Sequence, residues 1–277
     1  INPLASAVKC AWKVTTVSNS YLGELKYAAN GLENLFEYEK GKSHGVLNGI
    51  DTEVWNPETD NYIVKKYDNE VVARGKEKNK IELCGQFGLD PDKPLVAFIG
   101  RLVGEKAADL LPEAISQSIY QHHGNANFLV LGSGDPNLED RLDNMKHQFN
   151  GYFNSYIGYS ESLSHLIYAG SDFLLMPSRV EPCGLNQMYA LRYGTVPMVR
   201  NVGGLRDTVT DFGDPNGFGI RFNEASVGDI TYSVGRAIDL YNNKPDLYQW
   251  MRGYMMTIDH SWDSSAQQYI DLYKSLK

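Results

Sequence analysis

Residues 95–106 read Leu-Val-Ala-Phe-Ile-Gly-Arg-Leu-Val-Gly-Glu-Lys. Five apolar residues closed by a glycine have the pattern of a strand buried on both faces, because an alternating pattern would be expected if one face met water. The turn that follows carries two cations, Arg101 and Lys106. Working outward, similar short apolar runs recur at residues 128–131, 152–157, 173–176, 196–199 and 219–222, with helical patterns between them at 109–122, 137–149, 161–169 and 184–193. Spacings of this length suit crossover connections rather than hairpins, so the class is α/β, a parallel sheet flanked by helices. Pro112 is compatible with the first of these helices only near its first turn, where the missing N–H costs nothing.

A chain of 277 residues, 42% hydrophobic and 22% charged, has the composition of a folded protein with a substantial core. At this size about 70 to 75% of the unfolded surface is buried, so no disulfide or metal staple is required. The formal charge of −8 argues against a nucleic-acid or anionic-membrane partner, although a local basic pocket remains compatible with it. Cys10, Cys84 and Cys183 lie far apart, are odd in number and form no C-x-x-C, which suggests neither a disulfide framework nor a thiolate zinc site and points to a reducing, cytoplasmic setting. No apolar run approaches the roughly 20 residues of a membrane span, and the first residues lack the pattern of a secretory signal. The chain begins at Ile1 with sequence that reads as mid-domain, so a piece of a longer polypeptide is expected.

Upstream, residues 12–17 read as a strand, 20–30 as a helix, 37–44 as a polar linker or mobile loop, and 45–51 (GVLNGID) as a strand closing on an Asn-Gly turn. Downstream, helices are expected at 226–241, 245–257 and 262–276. The expected strands end in small or turn-forming residues, and ligands of open α/β sheets bind at that carboxyl edge.

Three loops on that edge could carry chemistry. Arg101 and Lys106 can converge on one anion such as a diphosphate, or they can pair with Glu105 and Asp109 on a solvated loop. Glu181, in Pro177-Ser178-Arg179-Val180-Glu181-Pro182-Cys183-Gly184-Leu185-Asn186, stands just outside a helix start. It can face a ligand there or simply complement the helix dipole, an effect of about 0.3 to 1 kcal/mol. Cys183 near the same helix start is a weaker candidate for a thiol nucleophile. The Gly203-Gly204 pair and Gly132-Ser133-Gly134 are compatible with tight turns alone. His122 and His123 sit at a helix end with no third ligand, which favours a capping role over a metal site.

Taken together these loops resemble the bacterial glycogen synthase and plant starch synthase family, retaining glucosyltransferases of two-domain GT-B architecture. The resemblance rests on GVLNGID at 45–51 with WNPETD at 55–60, Arg101-Leu102-x-x-x-Lys106, Ile157-Gly158-Tyr159, Pro177-Ser178-Arg179-x-Glu181-Pro182-Cys183-Gly184-Leu185, and Gly203-Gly204-Leu205-x-Asp207-Thr208-Val209, in family order. It covers nearly the whole chain but only the second half of such an enzyme. The family's Lys-Thr-Gly-Gly-Leu segment and its N-terminal histidine are absent. The implied layout is a remnant of an acceptor-side domain and linker at 1–40, a Rossmann-like nucleotide-sugar-binding domain at 41–260, and a helix at 261–277 crossing back towards the N-terminal domain.

The resemblance implies glucosyl transfer from ADP-glucose to the non-reducing end of an α-1,4-glucan with retention, without cofactor or metal. It implies that the missing N-terminal domain is needed, so that the chain alone is inactive. By position it assigns Arg101 and Lys106 to the leaving diphosphate and Glu181 to the donor glucose. Tyr159 is assigned to the nucleobase, Cys183 and Gly184 to the sugar, and the amides of Leu185 and Asn186 to the distal phosphate. Three positions depart from the family pattern: Ala107 for a glycine, Asn186 for a threonine, and Val202 for a threonine. Two alternatives stand beside this reading: a GT-B transferase using a UDP-sugar for another acceptor, and a catalytically inactive nucleotide-sugar-binding module.

Overall fold

The computed structural model describes residues 2–276. Six parallel strands form the main sheet: β3 (Leu95–Ile99), β4 (Asn127–Gly132), β5 (Phe153–Ile157), β6 (Phe173–Met176), β7 (Val196–Arg200) and β8 (Ile220–Phe222). They follow two short upstream strands, β1 (Val14–Thr16) and β2 (Ser43–Gly45), which pair in parallel with each other. The order across the main sheet is β5-β4-β3-β6-β7-β8. From β3 the chain builds outward through β4 and β5, then returns to lay β6 against the other side of β3. The strand order therefore reverses between β3 and β6, and the loops leaving these two strands diverge over a crevice.

Both faces of the sheet are covered, which explains the unbroken apolar runs. Val96, Phe98, Phe128, Val130, Phe173, Leu175 and Met198 point into one core. Leu95, Ala97, Leu129, Leu131, Leu174 and Met176, their neighbours along the strands, point into the other. Each such side chain, fully buried, contributes about 1.5 to 3 kcal/mol for the larger types.

All six expected main-sheet strands are present within one residue at each end. The helices at Leu111–Gln121, Pro136–Gln148, Glu161–Gly170 and Asn186–Arg192 also fall where the periodicity predicts them. Three upstream readings need correction, and one helix went unread. The helix expected at 20–30 is only Asn19–Glu24. Segment 37–44 is not a free linker: it holds the end of a helix (Glu33–Tyr38), a 3-10 turn (Lys40–Lys42) and most of β2. Its lysines are tied down, Lys42 binding Glu39 at 3.0 Å and the Lys9 carbonyl at 2.9 Å. Segment 45–51 is not a strand beyond Gly45. Its Ile50 N–H donates to the His260 carbonyl (2.8 Å), and a Cβ on Gly49 would collide with the backbone of Trp262. Thus the Asn-Gly signal marks close passage beneath the C-terminal helix, Trp262–Lys274, whose Ser265 hydroxyl donates to the Leu47 carbonyl at 2.7 Å. Finally, a 16-residue helix at Val72–Phe87 had no counterpart in the apolar pattern, because its buried face carries Lys76, Asn79 and Lys80.

Those buried polar groups are held at the amino edge of the sheet. Asp172 accepts from Lys80 Nζ (2.7 Å), the Leu95 N–H (2.9 Å) and the Tyr248 hydroxyl (2.9 Å), joining the Val72–Phe87 helix, β3 and the Pro245–Met255 helix. Burial alone would raise this carboxyl, but the Lys80 and Arg252 charges and the hydrogen bonds outweigh it and hold Asp172 below its ordinary range. A folded-state value below the unfolded one stabilises the protein above about pH 4, and that stabilisation is lost as pH falls through the lower folded value. Asp172→Asn, which leaves Lys80 buried without its partner, is expected to cost about 3 to 5 kcal/mol in urea unfolding at pH 7. The gap from the parent should narrow below about pH 4; a gap independent of pH would show that the pair's charge does not stabilise the fold.

Candidate functional site

The crevice at the strand-order reversal is closed by interactions between the loop after β3 and the loop after β6. Arg179 donates its N–H to the Glu105 carbonyl at 2.8 Å, and its guanidinium grips both oxygens of Asp109 at 2.5 and 2.8 Å and the Gly104 carbonyl at 2.7 Å. The Arg179 hydrogen bonds hold the Asp109 carboxyl below its ordinary range. Beneath this clasp, Lys106 Nζ lies 2.5 Å from Oε2 of Glu181, a buried carboxylate that also accepts from the Ser178 hydroxyl at 2.9 Å. Asp109 is therefore taken by Arg179 and Lys106 by Glu181. Of the local pairs the loop allowed, only Arg101 with Glu105 forms, at 3.4 Å between two largely exposed side chains.

The loop after β3 must turn sharply to present Lys106. Ala107, fully buried, adopts φ 52° and ψ 31°, the left-handed region that a side chain disfavours by roughly 1 to 2 kcal/mol. This is the physical reason a glycine suits the position, and the strain sits beside the residue that meets Glu181. The other two departures also have structural partners. Asn186 donates its side-chain amide to the Ile99 carbonyl (2.8 Å), pinning the first turn of its helix to the end of β3. Val202 stands at the N-cap of the short Gly203–Thr208 helix and cannot cap it through its side chain. The Gly203 N–H donates instead to Glu24 at 2.7 Å. Ser20 binds Asp207 through its N–H (3.0 Å), and the Ser18 hydroxyl donates to the Pro182 carbonyl (2.5 Å), so segment 18–24 buttresses the Glu181 loop.

At the carboxyl ends of β3, β4 and β5 lies a cleft of about 340 Å³ lined by Arg101, Tyr159 and Asn186; Lys106, Glu181, Cys183, Gly184 and Leu185 are not part of its wall. Tyr159 is 83% exposed, a free ring at its mouth. The wall includes Trp55, Ser133, Tyr168 and Tyr189, none of which the sequence reading assigned to the site. Trp55 is sandwiched between His165 (3.9 Å between centroids, 9° between planes) and Tyr189 (4.0 Å, 23°). His165 is fixed in turn by Asp60 at 2.7 Å, and the same carboxylate oxygen accepts from the Tyr193 hydroxyl at 2.5 Å. Burial would raise Asp60, but these hydrogen bonds outweigh it and hold it low. Cys183 and Leu185 turn their side chains into a small apolar cluster with Ile50 and Met188. Burial raises the Cys183 thiol, the opposite of what a nucleophile needs. The N–H groups of Leu185 and Asn186 remain at the unbonded start of the helix. Gly184, at φ 75°, makes the tight turn between Glu181 and that helix. His122 does not face the site: its ring nitrogen is 3.0 Å from the Thr231 carbonyl. Among the described residues no three His, Cys, Asp or Glu gather as metal ligands, and no helix is long and apolar enough to cross a membrane.

Residues 79–238 match the family model described as glycosyl transferases group 1. The chain belongs to that family. Within it, the chain is 56% identical over 273 residues to a glycogen synthase of Flavobacterium johnsoniae, covering 99% of this chain and 57% of that protein. It is 40% identical over 287 residues to the chloroplastic/amyloplastic starch synthase 2 of Arabidopsis thaliana, covering all of this chain and 36% of that protein. The catalytic domain of Arabidopsis starch synthase IV, solved bound to ADP and acarbose, superposes with a TM-score of 0.89 at 36% identity, over 99% of this chain and 58% of that one. The chain thus spans little more than half the length of the glycogen synthase it matches.

In this glycosyl transferase chain the Gly203 position limits where the Glu181 loop can lie. Its φ is 46°, and a Cβ there would strike the Glu181 carbonyl oxygen. Gly203→Ala is expected to lower stability by about 1 to 3 kcal/mol in urea unfolding. An unchanged midpoint would mean that the loop can retreat without cost.

Proposed function

We propose that the chain is the donor-binding half of a retaining α-glucan synthase, which transfers glucose from ADP-glucose to the non-reducing end of an α-1,4-glucan. The observation that carries this reading is the buried Glu181 carboxylate held 2.5 Å from Lys106 Nζ at the strand-order reversal, on loops whose Arg101 and Asn186 line an aromatic cleft with Tyr159. The similarity to glycogen and starch synthases, one of them solved with ADP, supports the choice of donor.

In this mechanism the cleft receives the nucleoside and Tyr159 stacks on its base, leaving the diphosphate over Arg101, Lys106 and the amides of Leu185 and Asn186. As the glycosidic bond breaks, negative charge builds on the departing diphosphate. Lys106, held in place by Glu181, and Arg101 stabilise it in the place a metal ion would take elsewhere. Glu181, oriented by Ser178 and Lys106, accepts hydroxyl hydrogen bonds from the glucose and balances the positive charge developing at its anomeric carbon. Cys183 and Gly184 shape the sugar end through the backbone. The acceptor glucan binds between this half and an N-terminal domain, which excludes water and aligns the reactants. Residues 1–40 belong to the linker side of that arrangement, 41–260 to the nucleotide-sugar domain, and 261–277 to a helix returning towards the N-terminal domain. Three free cysteines suit a cytoplasmic enzyme.

In the full-length gene product, Arg101→Ala and Lys106→Ala are each expected to lower kcat about 10²- to 10³-fold. ADP affinity, read by calorimetry, should weaken in both. Glu181→Gln should lower kcat comparably while changing ADP affinity less, since the carboxylate faces the sugar. Tighter binding of UDP than ADP would overturn the donor, and turnover by residues 1–277 alone would overturn the need for a second domain.

A further inference from the structure

The amino edge of the sheet, opposite the crevice, holds a second recess of about 400 Å³ between the Val72–Phe87 and Pro245–Met255 helices. Lys76, Lys80, Asp172 and Arg252 all line it, and all four are at least nine-tenths buried. Their partners are unequally shared. Lys76 Nζ donates to the carbonyls of Tyr168 (2.8 Å) and Ala169 (3.0 Å) and to the Thr195 hydroxyl (2.6 Å), so its three donors are used at a helix C-terminus. Asp172 is saturated by Lys80, the Leu95 N–H and the Tyr248 hydroxyl. Lys80 donates to Asp172 and to the Tyr241 hydroxyl at 3.1 Å.

Arg252 is the exception. It is 5% exposed, its guanidinium lies 4.9 Å from the Tyr248 ring centroid, and its Nε finds no hydrogen-bond partner among the described residues. An arginine cannot shed its proton, so a buried guanidinium calls for a counter-charge. The one buried carboxylate of the recess, Asp172, feels the Arg252 charge but accepts its hydrogen bonds from Lys80, the Leu95 N–H and the Tyr248 hydroxyl, none from Arg252. At the rim Arg74 adds a further cation, while Glu77 and Asp92 supply acids from the exposed side and set a limit on the size and charge of what can enter.

We propose that this recess is a binding site for a small phosphorylated anion, with Arg252 as its anchor and Arg74 as its outer contact. The planar guanidinium offers a fork of donors matched to phosphate oxygens. The recess falls within the size range of small-molecule sites, with room for the organic part of a phosphate ester beside Tyr241 and Pro245. A ligand there would bridge the helices that meet at Asp172. Because Asp172 also holds the start of β3, whose far end carries Arg101, occupancy would brace the strand that supports the crevice.

The test is calorimetric titration of the full-length gene product with inorganic phosphate in the presence of saturating ADP, which occupies the crevice, repeated with glycerol phosphate. One saturable site is expected. Arg252→Gln should weaken it at least tenfold, and the exposed Arg74→Gln several-fold. Lys106→Ala, at the opposite edge, should leave it unchanged. The proposal fails if no saturable binding occurs, if a folded Arg252→Gln protein binds as the parent does, or if Lys106→Ala abolishes the signal. Should Arg252→Gln not fold, Arg74→Gln decides: affinity equal to the parent overturns the site. Should ADP fail to saturate the crevice, UDP takes its place as the blocking nucleotide, so that failure of the donor assignment and failure of this site are distinguishable.

Discussion

The site rests on the stitching of two loops that the chain separates by some 70 residues and the sheet brings side by side. Lys106 against Glu181 is a largely buried ion pair, and such a pair contributes little net stability because desolvation offsets attraction. Its value is positional. Glu181 has a cation on one side, the Ser178 hydroxyl on another and a glycine turn behind it, so the carboxylate has few orientations left. The Arg179–Asp109 clasp lies nearer solvent and does for the backbone what the inner pair does for the side chains. Strain at Ala107 belongs to the same arrangement, since the chain must turn left-handed to bring Lys106 inward.

Around this stitch the molecule is polarised between the two edges of one sheet. The carboxyl edge carries aromatic rings and free amides; the amino edge carries a buried network of lysines, an aspartate and an arginine whose Nε has no acceptor among the described residues. The apolar strands between them are packed on both faces, so a displacement at one end has little room to be absorbed within the strand. The Asp60–His165–Trp55–Tyr189 stack plays a comparable supporting part on the nucleoside side, fixing an aromatic wall through a buried carboxylate.

Legibility followed the range of the forces involved. The strands of the main sheet were readable because double burial leaves an unbroken apolar run, and Arg101, Lys106 and Glu181 were readable because they stand beside glycine and proline at strand ends. The Val72–Phe87 helix was not, since Lys76, Asn79 and Lys80 turn inward to meet carbonyls, a hydroxyl and a carboxylate far away in sequence. Segment 37–44 looked mobile because its charges are polar in isolation, whereas Lys40 and Lys42 pair with Glu37 and Glu39 one turn away and Lys42 also reaches the distant Lys9 carbonyl. Trp55 and Ser178 stood inside recognised motifs and Tyr189 outside them, but none carried a site role, because their roles come from what stacks on or bonds to them.

By itself the sequence determined the α/β class, the positions of the main strands, the loops with chemical potential and the family resemblance. These depend on apolar periodicity, turn chemistry and motif spacing, which are local. The tertiary structure alone decided that Lys106 pairs with Glu181 and Asp109 with Arg179, and that segment 18–24 caps the Gly203 helix. It also decided that Arg252 is buried without an acceptor for its Nε among the described residues. Each is a choice among several chemically permissible partners, and only the order of strands in the sheet determines which of them come within reach.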